Sequence, residues 1–366
     1  MSAPIGVNLL WCVPGQVGGS EEYLARQLVG VDGDEFALTL FAVRGYAAAH
    51  PELAERFPIV TAPIDGGRRS VRVAVEHTWL PARARERRLH LLHHGGGTMP
   101  RAQPAPGMLT IHDLQYLVHP EFFGRVKLAW LASAVPSSVG RAVVITVPSE
   151  FVKGTVVDHF GYPAERIVVV PHGVDPRPAA ARHDVSGRIV LYPAITHPHK
   201  NHVTLLRAIA ALGPGYDDVR LVLLGGAGAA ADEVTAEIDR LGLASRVVRP
   251  GRVPDAARDA WYATATVLAF PSRYEGFGAP VLEAMAAGCP VVAADATALP
   301  EVAGGAAVLV DPADVEAWTV ALARLLDDGD QRRRLADAGR RRAAELTGTA
   351  SAGSLQAAYR LATGSP

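Results

Sequence analysis

Short apolar runs alternate with longer amphipathic segments along most of the chain. Runs of this length are typical of buried strands, and the segments between them carry the spacing of helices. In the first half, the pattern predicts strands near 5–13, 36–43, 58–64, 89–93, 107–112, 142–148 and 166–171. Strands that alternate with helices in this way indicate βα units and a parallel sheet.

A second series of apolar runs follows a stretch rich in proline, glycine and small residues. Its members begin near residues 188, 221, 246, 267, 291 and 307. We therefore predict an α/β fold with two Rossmann-like domains, at 1–171 and 188–345, joined by a linker at 172–187. Residues 346–366 are predicted to form a C-terminal helix that could return to the first domain.

The composition favours two buried cores and argues against nucleic-acid binding. Of 366 residues, 49% are hydrophobic and 20% are charged, which excludes a disordered or fibrous chain. The formal net charge of -1 gives no overall field that would hold nucleic acid by its phosphates.

The sequence indicates neither a disulfide framework nor a membrane-spanning helix. Two cysteines, Cys12 and Cys289, are too few for such a framework, which favours a reducing compartment. The N-terminal apolar run lacks a preceding basic region, so it is typical of a strand and not of a signal peptide. We expect a cytoplasmic protein, with peripheral attachment to the cytoplasmic membrane face left open.

The most informative stretch runs from Pro271 to Pro290 and follows a predicted strand. Gly276 and Gly278 permit a tight turn, and Pro280 suits the first turn of a short helix. The free N–H groups of that helix would point towards the preceding loop. Such a helix start is a ready site for a diphosphate.

Two carboxylates flank this predicted site. Glu275 lies in the loop, and Glu283 is expected in the first turn of the helix. Ionised carboxylates accept hydrogen bonds from vicinal hydroxyls, so both suit a sugar better than a phosphate. From spacing alone a structural interpretation is equally good, in which Glu283 only favours the helix dipole and Glu275 is solvated.

This stretch resembles the Glu-x7-Glu signature of the retaining, GT-B-fold glycosyltransferases of family 4, and the likeness continues through EGFGAPVLEAMAAGCPVV. The resemblance implies two domains that face each other across a cleft, with the acceptor bound mainly by the first and a nucleotide-sugar donor mainly by the second. It implies that Glu275 contacts the transferred sugar and Glu283 the ribose. The backbone implied to contact the sugar and phosphates belongs to Gly276, Phe277, Gly278 and Ala279.

Lys200 is the predicted ligand of the donor diphosphate. It lies where a strand is expected to end and a helix to begin. The family often has an arginine before this lysine, whereas this chain has Ile195 and Thr196. A second phosphate-binding cation is therefore in question, and a nearby histidine or helix start could replace it.

Two spacings suggest metal sites, although we expect no metal and no other cofactor. His197, His199 and His202 are closely spaced, but their side chains would fan out from a helix start without an acidic or cysteine partner nearby. The Asp-x-Asp sequence from Asp32 to Asp34 lies in a polar stretch typical of a turn.

Two segments of the first domain also resemble the family. A loop containing Gly18 and Gly19 is similar to a Gly-Gly-x-Glu loop whose backbone approaches the diphosphate, with a plain structural turn as the alternative. His112 begins a His-Asp-Leu segment similar to that of many mannosyltransferases of this group. The resemblance implies that His112 acts beside the transferred sugar, where Asp113 could orient it or only cap a turn.

An arginine-rich segment at 68–88 has two interpretations. Its members are Arg68, Arg69, Arg72, Arg83, Arg85, Arg87 and Arg88. A solvated helix face would explain them. The sharper hypothesis is an acceptor-side or membrane-surface patch for a phosphorylated or lipid-linked acceptor.

The donor and the reaction leave alternatives open. Pocket shape around residues 249–255, including Val253, is expected to read the base. GDP-mannose is our first choice because of the segment at His112, with UDP-glucose or UDP-N-acetylglucosamine second. A sugar-nucleotide epimerase or a non-catalytic partner subunit would share the fold. Separately, the glycine-rich run at 225–231 weakly resembles a dinucleotide fingerprint. No motif indicates the acceptor, the linkage or the oligomeric state.

Overall fold

Parallel strands form two separate sheets in the computed structural model, which describes residues 3–15, 19–175, 183 and 186–364. Met1–Gly173 and Gly348–Pro366 make the first unit, and Val174–Thr347 make the second. Each unit carries one of the sheets with helices around it. The predicted α/β fold with two Rossmann-like domains is therefore confirmed.

The first unit contains seven strands, at β1 (Ala3–Leu9), β2 (Phe36–Ala42), β3 (Ile59–Thr61), β4 (Leu91–His94), β5 (Gly107–Thr110), β6 (Ala142–Val147) and β7 (Ile167–Val169). Its helices before the second unit are α1 (Gly19–Val29), α2 (Tyr46–Ala49), α3 (Pro51–Ala54), α4 (Arg69–Glu86), α5 (Gln115–Val118), α6 (Arg125–Val139) and α7 (Glu150–Phe160), with short 3-10 turns at Pro120–Phe122 and Ala164–Arg166. The strand order is β3-β2-β1-β4-β5-β6-β7, so the order reverses between β1 and β4.

The first strand is shorter than its apolar run predicts. β1 pairs with β2 as far as Leu9, opposite Ala42, and the chain then turns, with the N–H of Cys12 donating to the carbonyl of Leu9 at 2.9 Å. The predicted extension to residue 13 is wrong because Leu10 and Cys12 are buried in a loop and not in a strand. Burial alone produced the apolar run.

The second unit contains six strands, at β8 (Ile189–Pro193), β9 (Arg220–Leu224), β10 (Val247–Gly251), β11 (Val267–Phe270), β12 (Val291–Ala294) and β13 (Val308–Val310). Its helices are α8 (His202–Ala211), α9 (Ala231–Arg240), α10 (Asp255–Thr264), α11 (Ala279–Ala286), α12 (Leu299–Ala303), α13 (Val315–Asp327) and α14 (Gly329–Glu345), with a 3-10 turn at Pro198–Lys200. The order β10-β9-β8-β11-β12-β13 reverses between β8 and β11. Such a switch point is where open α/β sheets bind ligands, beyond the carboxyl ends of the strands.

The last helix, α15 (Gly348–Thr363), packs into the first unit. Its Tyr359 is fully buried in the core beside β1 and β2, and the hydroxyl lies 3.0 Å from Nδ1 of His93. At the surface, Arg360 donates two hydrogen bonds of 2.6 Å to the carboxylate of Glu35. The chain thus completes the core of the first unit with residues that follow the whole of the second.

Candidate functional site

Two loops meet at the switch point of the second sheet. β8 and β11 are hydrogen-bonded neighbours, so the segments that follow them emerge side by side. Lys200 belongs to the 3-10 turn after β8, and Glu275 belongs to the loop after β11. The sheet topology therefore brings together two residues that the sequence separates widely.

The ammonium of Lys200 contacts the carboxylate of Glu275 directly. Nζ and Oε1 are 2.6 Å apart, and the two side chains are only 17% and 13% exposed. The backbone N–H of Glu275 donates to the hydroxyl of Thr297 at 3.0 Å, and Nδ2 of Asn201 donates to the carbonyl of Pro271 at 3.0 Å. These bonds fix both loops, so the cation and the carboxylate are held in position by their surroundings.

Helix α11 begins immediately beside this pair. Gly278 precedes it with a φ of 97°, in the left-handed region, and a Cβ there would lie 2.5 Å from the side chain of Leu299. The first turn contains Pro280 and no acidic residue, and the helix has no side-chain cap. The N–H of Val281 donates to the carbonyl of Gly278 at 2.9 Å, and the positive end of the helix dipole, with no acidic side chain against it, favours an anion.

The Gly-Phe-Gly segment can offer this site only its backbone. The side chain of Phe277 is 4% exposed and packs in the hydrophobic core of the second unit. Gly276 precedes it, and Ala279 opens the helix. The geometry is compatible with the backbone role that the family resemblance implies for these residues.

Glu283 lies deeper along α11 than the sequence predicted. It is the fifth residue of the helix, so the prediction that it belongs to the first turn is wrong; the helix starts at Ala279, before Pro280. Its buried carboxylate accepts a hydrogen bond from the hydroxyl of Tyr262 at 2.9 Å and lies 3.8 Å from Nε of Arg258. Helix α10, which carries both of these partners, therefore orients Glu283, and no sequence pattern points to either partner.

A glycine-rich turn supports the loop that carries Lys200. A Cβ on Gly225 would lie 2.5 Å from the carbonyl oxygen of Ala194, and one on Gly228 would lie 2.6 Å from that of Thr196. The N–H of Gly228 also donates to the hydroxyl of Thr196 at 2.7 Å. These glycines allow two backbones to touch, which explains the run that resembled a dinucleotide fingerprint. Val253 follows β10 and packs partly buried against the core.

His112 is the centre of a second cluster, in the first unit. His112 lies two residues beyond the end of β5. Its Nε2 donates to the carbonyl of Gly95 at 2.8 Å, while its buried Nδ1 has no hydrogen-bond partner among the described residues. The rings of Trp11 and Tyr23 lie 5.6 and 5.7 Å from the imidazole. Burial lowers the pKa of His112, so the neutral ring keeps an acceptor nitrogen.

The structure adds His172 to this cluster, a residue that the sequence placed in a linker. Its ring stacks on Tyr23 with centroids 3.7 Å apart, and burial holds the pKa of His172 well below its ordinary value. Tyr23 in turn donates from its hydroxyl to the carbonyl of Val170. Of the two predicted loop glycines, Gly19 opens α1, and Gly18 lies outside the described residues.

The predicted metal motifs have structural explanations. His197 and His199 stack on each other with centroids 5.8 Å apart, whereas His202 is buried against Tyr192. Asp32 accepts a hydrogen bond from the N–H of Asp34 at 2.9 Å, which confirms the turn. Within the part of the chain that the structure describes, no group of three or more histidine, cysteine or acidic side chains is placed to hold a metal ion. None of the helices described there is long and apolar enough to cross a membrane.

Comparison with known families matches both units. A family model described as Glycosyltransferase Family 4 matches residues 17–177, and one described as Glycosyl transferases group 1 matches residues 177–342. The two matches meet at residue 177 and together span most of the chain.

Similar proteins include mannosyltransferases. The chain is 29% identical to O-antigen chain mannosyltransferase B of Escherichia coli, over 61% of this chain and 62% of that protein. It is 38% identical to an MMP alpha-(1->4)-mannosyltransferase of Mycolicibacterium hassiacum, over 56% of this chain and 50% of that protein. The matches thus span between half and two thirds of these relatives' own lengths.

Solved structures share the fold over nearly the whole chain. HepE of Anabaena, solved with UDP and glucose, superposes with a TM-score of 0.76 over 97% of this chain and 98% of its own, at 21% identity. At that identity the likeness establishes the GT-B fold.

Proposed function

Because the chain belongs to the family 4 glycosyltransferases, we propose that it transfers a hexosyl group from a nucleoside diphosphate sugar to a hydroxyl of a glycan or lipid-linked acceptor. The observation that carries the proposal is the 2.6 Å contact between Lys200 and Glu275 beside the start of α11. Lys200 supplies a cation suited to phosphate, and Glu275 supplies a carboxylate suited to sugar hydroxyls. Both lie next to the start of α11, whose first turn contains no acidic residue.

The residues of the second unit divide the donor between them. Lys200 and the N–H groups at the start of α11 stabilise the negative charge that develops on the diphosphate as the sugar leaves. Glu275 accepts hydrogen bonds from the transferred sugar, and Glu283, which Tyr262 holds in place, accepts them from the ribose. The resemblance to the family implies that the anomeric configuration is retained and that no resident metal is needed.

His112 serves the same reaction from the first unit. With Nε2 committed to Gly95, its Nδ1 can accept a hydrogen bond only as a neutral ring. This nitrogen receives a hydroxyl of the transferred sugar or of the acceptor, which fixes that hydroxyl for the reaction.

GDP-mannose is the preferred donor, and mannose is the sugar that it transfers. The names of two relatives support mannose, and the segment that begins at His112 supports it independently. UDP-glucose or UDP-N-acetylglucosamine is the alternative, supported by the UDP and glucose in the HepE structure.

Calorimetric titration with GDP-mannose, UDP-glucose and UDP-N-acetylglucosamine, each with and without EDTA, tests the proposal. We expect one sugar nucleotide to bind, to be unaffected by EDTA, and to lose affinity in Glu283→Ala. The exposed Glu316→Ala in the same unit is the matched control and should bind normally. Binding of none of the three would overturn the proposed donor role, whereas release of free nucleotide without any acceptor would indicate an epimerase.

A further inference from the structure

Three basic side chains of the first unit converge where α4 and α6 begin. The guanidinium carbon of Arg69, in the first turn of α4, lies 4.4 Å from the ring centroid of Trp130 on α6. Lys127 precedes Trp130 by three residues and therefore shares its helix face, and Arg72 shares that of Arg69 in the same way. Nζ of Lys127 lies 4.8 Å from the ring of Phe123. Aromatic rings thus support two of the three cations.

Direct ion pairs do not neutralise this group in the described part of the chain, although Glu76 lies near enough to Arg72 for the guanidinium to favour its charged form. Among the described residues, Arg69, Arg72 and Lys127 form no ion pair with a carboxylate, although Arg83 at the far end of α4 pairs with Glu86 at 2.8 Å. The pKa of Lys127 is lowered mainly by burial and further by the charge of Arg69. The pKa of Arg69 is lowered mainly by burial and further by the charge of Arg72. The three charges therefore repel one another while partly removed from water.

The two helix starts add to the positive potential. Neither α4 nor α6 has an acidic residue in its first turn, and neither Arg68 nor Gly124 makes a side-chain cap. By contrast, α1 and α9 each have two acids in the first turn, as the helix dipole favours. Cations at a positive helix end are unfavourable unless an anion joins them.

Lys127 lies close to the loop after β5, which contains His112. The carboxylate of Asp113, the next residue in the chain, is close enough to Lys127 to act on its pKa in the raising direction. Asp113 also accepts a hydrogen bond from the N–H of Gln115 at 2.9 Å, which anchors this carboxylate in the loop after β5. An anion held by the three cations would therefore lie near the loop that carries His112.

We propose that Arg69, Arg72 and Lys127 bind a phosphoryl group carried by the acceptor. The planar guanidinium groups suit phosphate oxygens, and His112, in the loop next to Lys127, would meet a hydroxyl of the same molecule. The proposal deepens the proposed function and rests on it only in identifying the ligand as the acceptor. The phosphate can belong to a soluble phosphorylated compound or to a lipid headgroup, because Val126 beside Lys127 is 87% exposed.

Calorimetric titration of the full chain with inorganic phosphate, without any sugar nucleotide, tests the site. We expect Arg69→Gln and Lys127→Gln each to weaken phosphate binding roughly tenfold, the loss of one charge-assisted hydrogen bond. Arg83→Gln removes the same charge from the far end of α4 and is the matched control, and Lys200→Gln reports phosphate bound in the second unit. Thermal unfolding checks the fold of each variant, and Arg69→Lys should retain part of the affinity.

Vesicles of phosphatidylcholine with and without phosphatidylglycerol distinguish the two sources of phosphate. Sedimentation only with phosphatidylglycerol, lost in Arg69→Gln and Lys127→Gln, supports the site with a lipid as the ligand. Equal weakening in Arg83→Gln, weakening only in Lys200→Gln, or no binding of phosphate or vesicles would overturn the proposal. Because no donor is present in either assay, failure of the donor titration would leave these results unaffected.

Discussion

Nζ of Lys200 lies 2.6 Å from Oε1 of Glu275, although the two residues are 75 positions apart in the chain. The contact exists because β8 and β11 are neighbours at the point where the strand order reverses. An ammonium held by a carboxylate in this way is already desolvated and positioned. A bound diphosphate would meet a cation whose place is fixed before the ligand arrives.

Replacement of Lys200 by glutamine should therefore act mainly on turnover and not on the stability of the fold. The variant loses the charge that we propose stabilises the departing diphosphate, and we expect kcat/KM to fall roughly a hundredfold, the usual cost of one such electrostatic group. Steady-state assays with the donor identified by titration measure the effect. The exposed Arg333→Gln on α14 removes an equal charge and should remain within about twofold of the unchanged chain. Equal activity in the two variants would contradict the role of Lys200.

Substitutions at Glu283 and at its partner Tyr262 should weaken nucleotide binding to different extents, because the first residue is the proposed ligand and the second only positions it. Glu283→Gln removes the carboxylate that we propose binds the ribose hydroxyls, so the Kd for the nucleoside diphosphate should rise roughly tenfold or more. Tyr262→Phe leaves the carboxylate intact but removes one hydrogen bond that orients it, and a smaller loss of about two- to fivefold is expected. Glu316→Gln is the control. A larger effect for Tyr262→Phe than for Glu283→Gln would show that the tyrosine, and not the carboxylate, is the ligand.

The buried imidazole of His112 should give the reaction a characteristic pH profile. Burial lowers its pKa below the ordinary 6.5, so the ring remains neutral there and takes up a proton only in more acidic solution. We expect kcat to stay constant as pH falls through 6.5 and to decline only below it. His112→Gln should lower kcat about a hundredfold and remove that decline, whereas the exposed His77→Gln should preserve both. A decline centred at or above 6.5 would be inconsistent with a buried neutral ring.

Local pattern was sufficient to predict the strands because most apolar runs contain a buried strand of a parallel sheet, although β10 is largely exposed. The run that begins at Ile5 misled at its end, since Leu10 and Cys12 are buried without being in a strand. Likewise, Glu283 was placed one turn too early because the sequence does not show that α11 starts at Ala279. Element identity follows from periodicity, whereas element ends depend on tertiary contacts.

The site could be predicted only in part, because sequence motifs identify residues but not their partners. Glu275 and Lys200 were both singled out, yet their contact depends on a strand order that no local pattern encodes. His172 was assigned to a linker because its neighbours are small residues and prolines, and only the fold stacks it on Tyr23. The phosphate-binding roles themselves remain predictions.

The glycine-rich turn after β9 should tolerate substitution at one glycine and not at another. A Cβ on Gly228 would lie 2.6 Å from the carbonyl oxygen of Thr196, whereas one on Gly226 would meet nothing within 4 Å. Gly228→Ala should therefore displace the loop that carries Lys200, lowering donor affinity and costing about 1 to 3 kcal/mol of stability. Gly226→Ala should change neither by a measurable amount. Thermal unfolding and donor titration of the pair test this, and equal behaviour would show that the two loops separate freely.

Glu76 should make the stability of the first unit depend on pH. Burial raises the pKa of this residue to about 7, although Nδ2 of Asn8 donates to its Oε1 at 2.5 Å and Arg72 favours its charged form. The folded unit holds this proton more tightly than the unfolded chain, whose value is near 4.5, so the contribution to the free energy of unfolding rises as pH falls from about 7 to 4.5. Burial lowers the pKa of His94 to about 4, so this residue decreases the free energy of unfolding as pH falls below 6.5. Its contribution is the same in the unchanged chain and in Glu76→Gln, so it cancels in their difference. Glu76→Gln should therefore be more stable by about 2 to 3 kcal/mol above pH 7 and equal near 4.5. Denaturant unfolding across this range measures the difference, and a difference independent of pH would mean that folding does not change the pKa of Glu76.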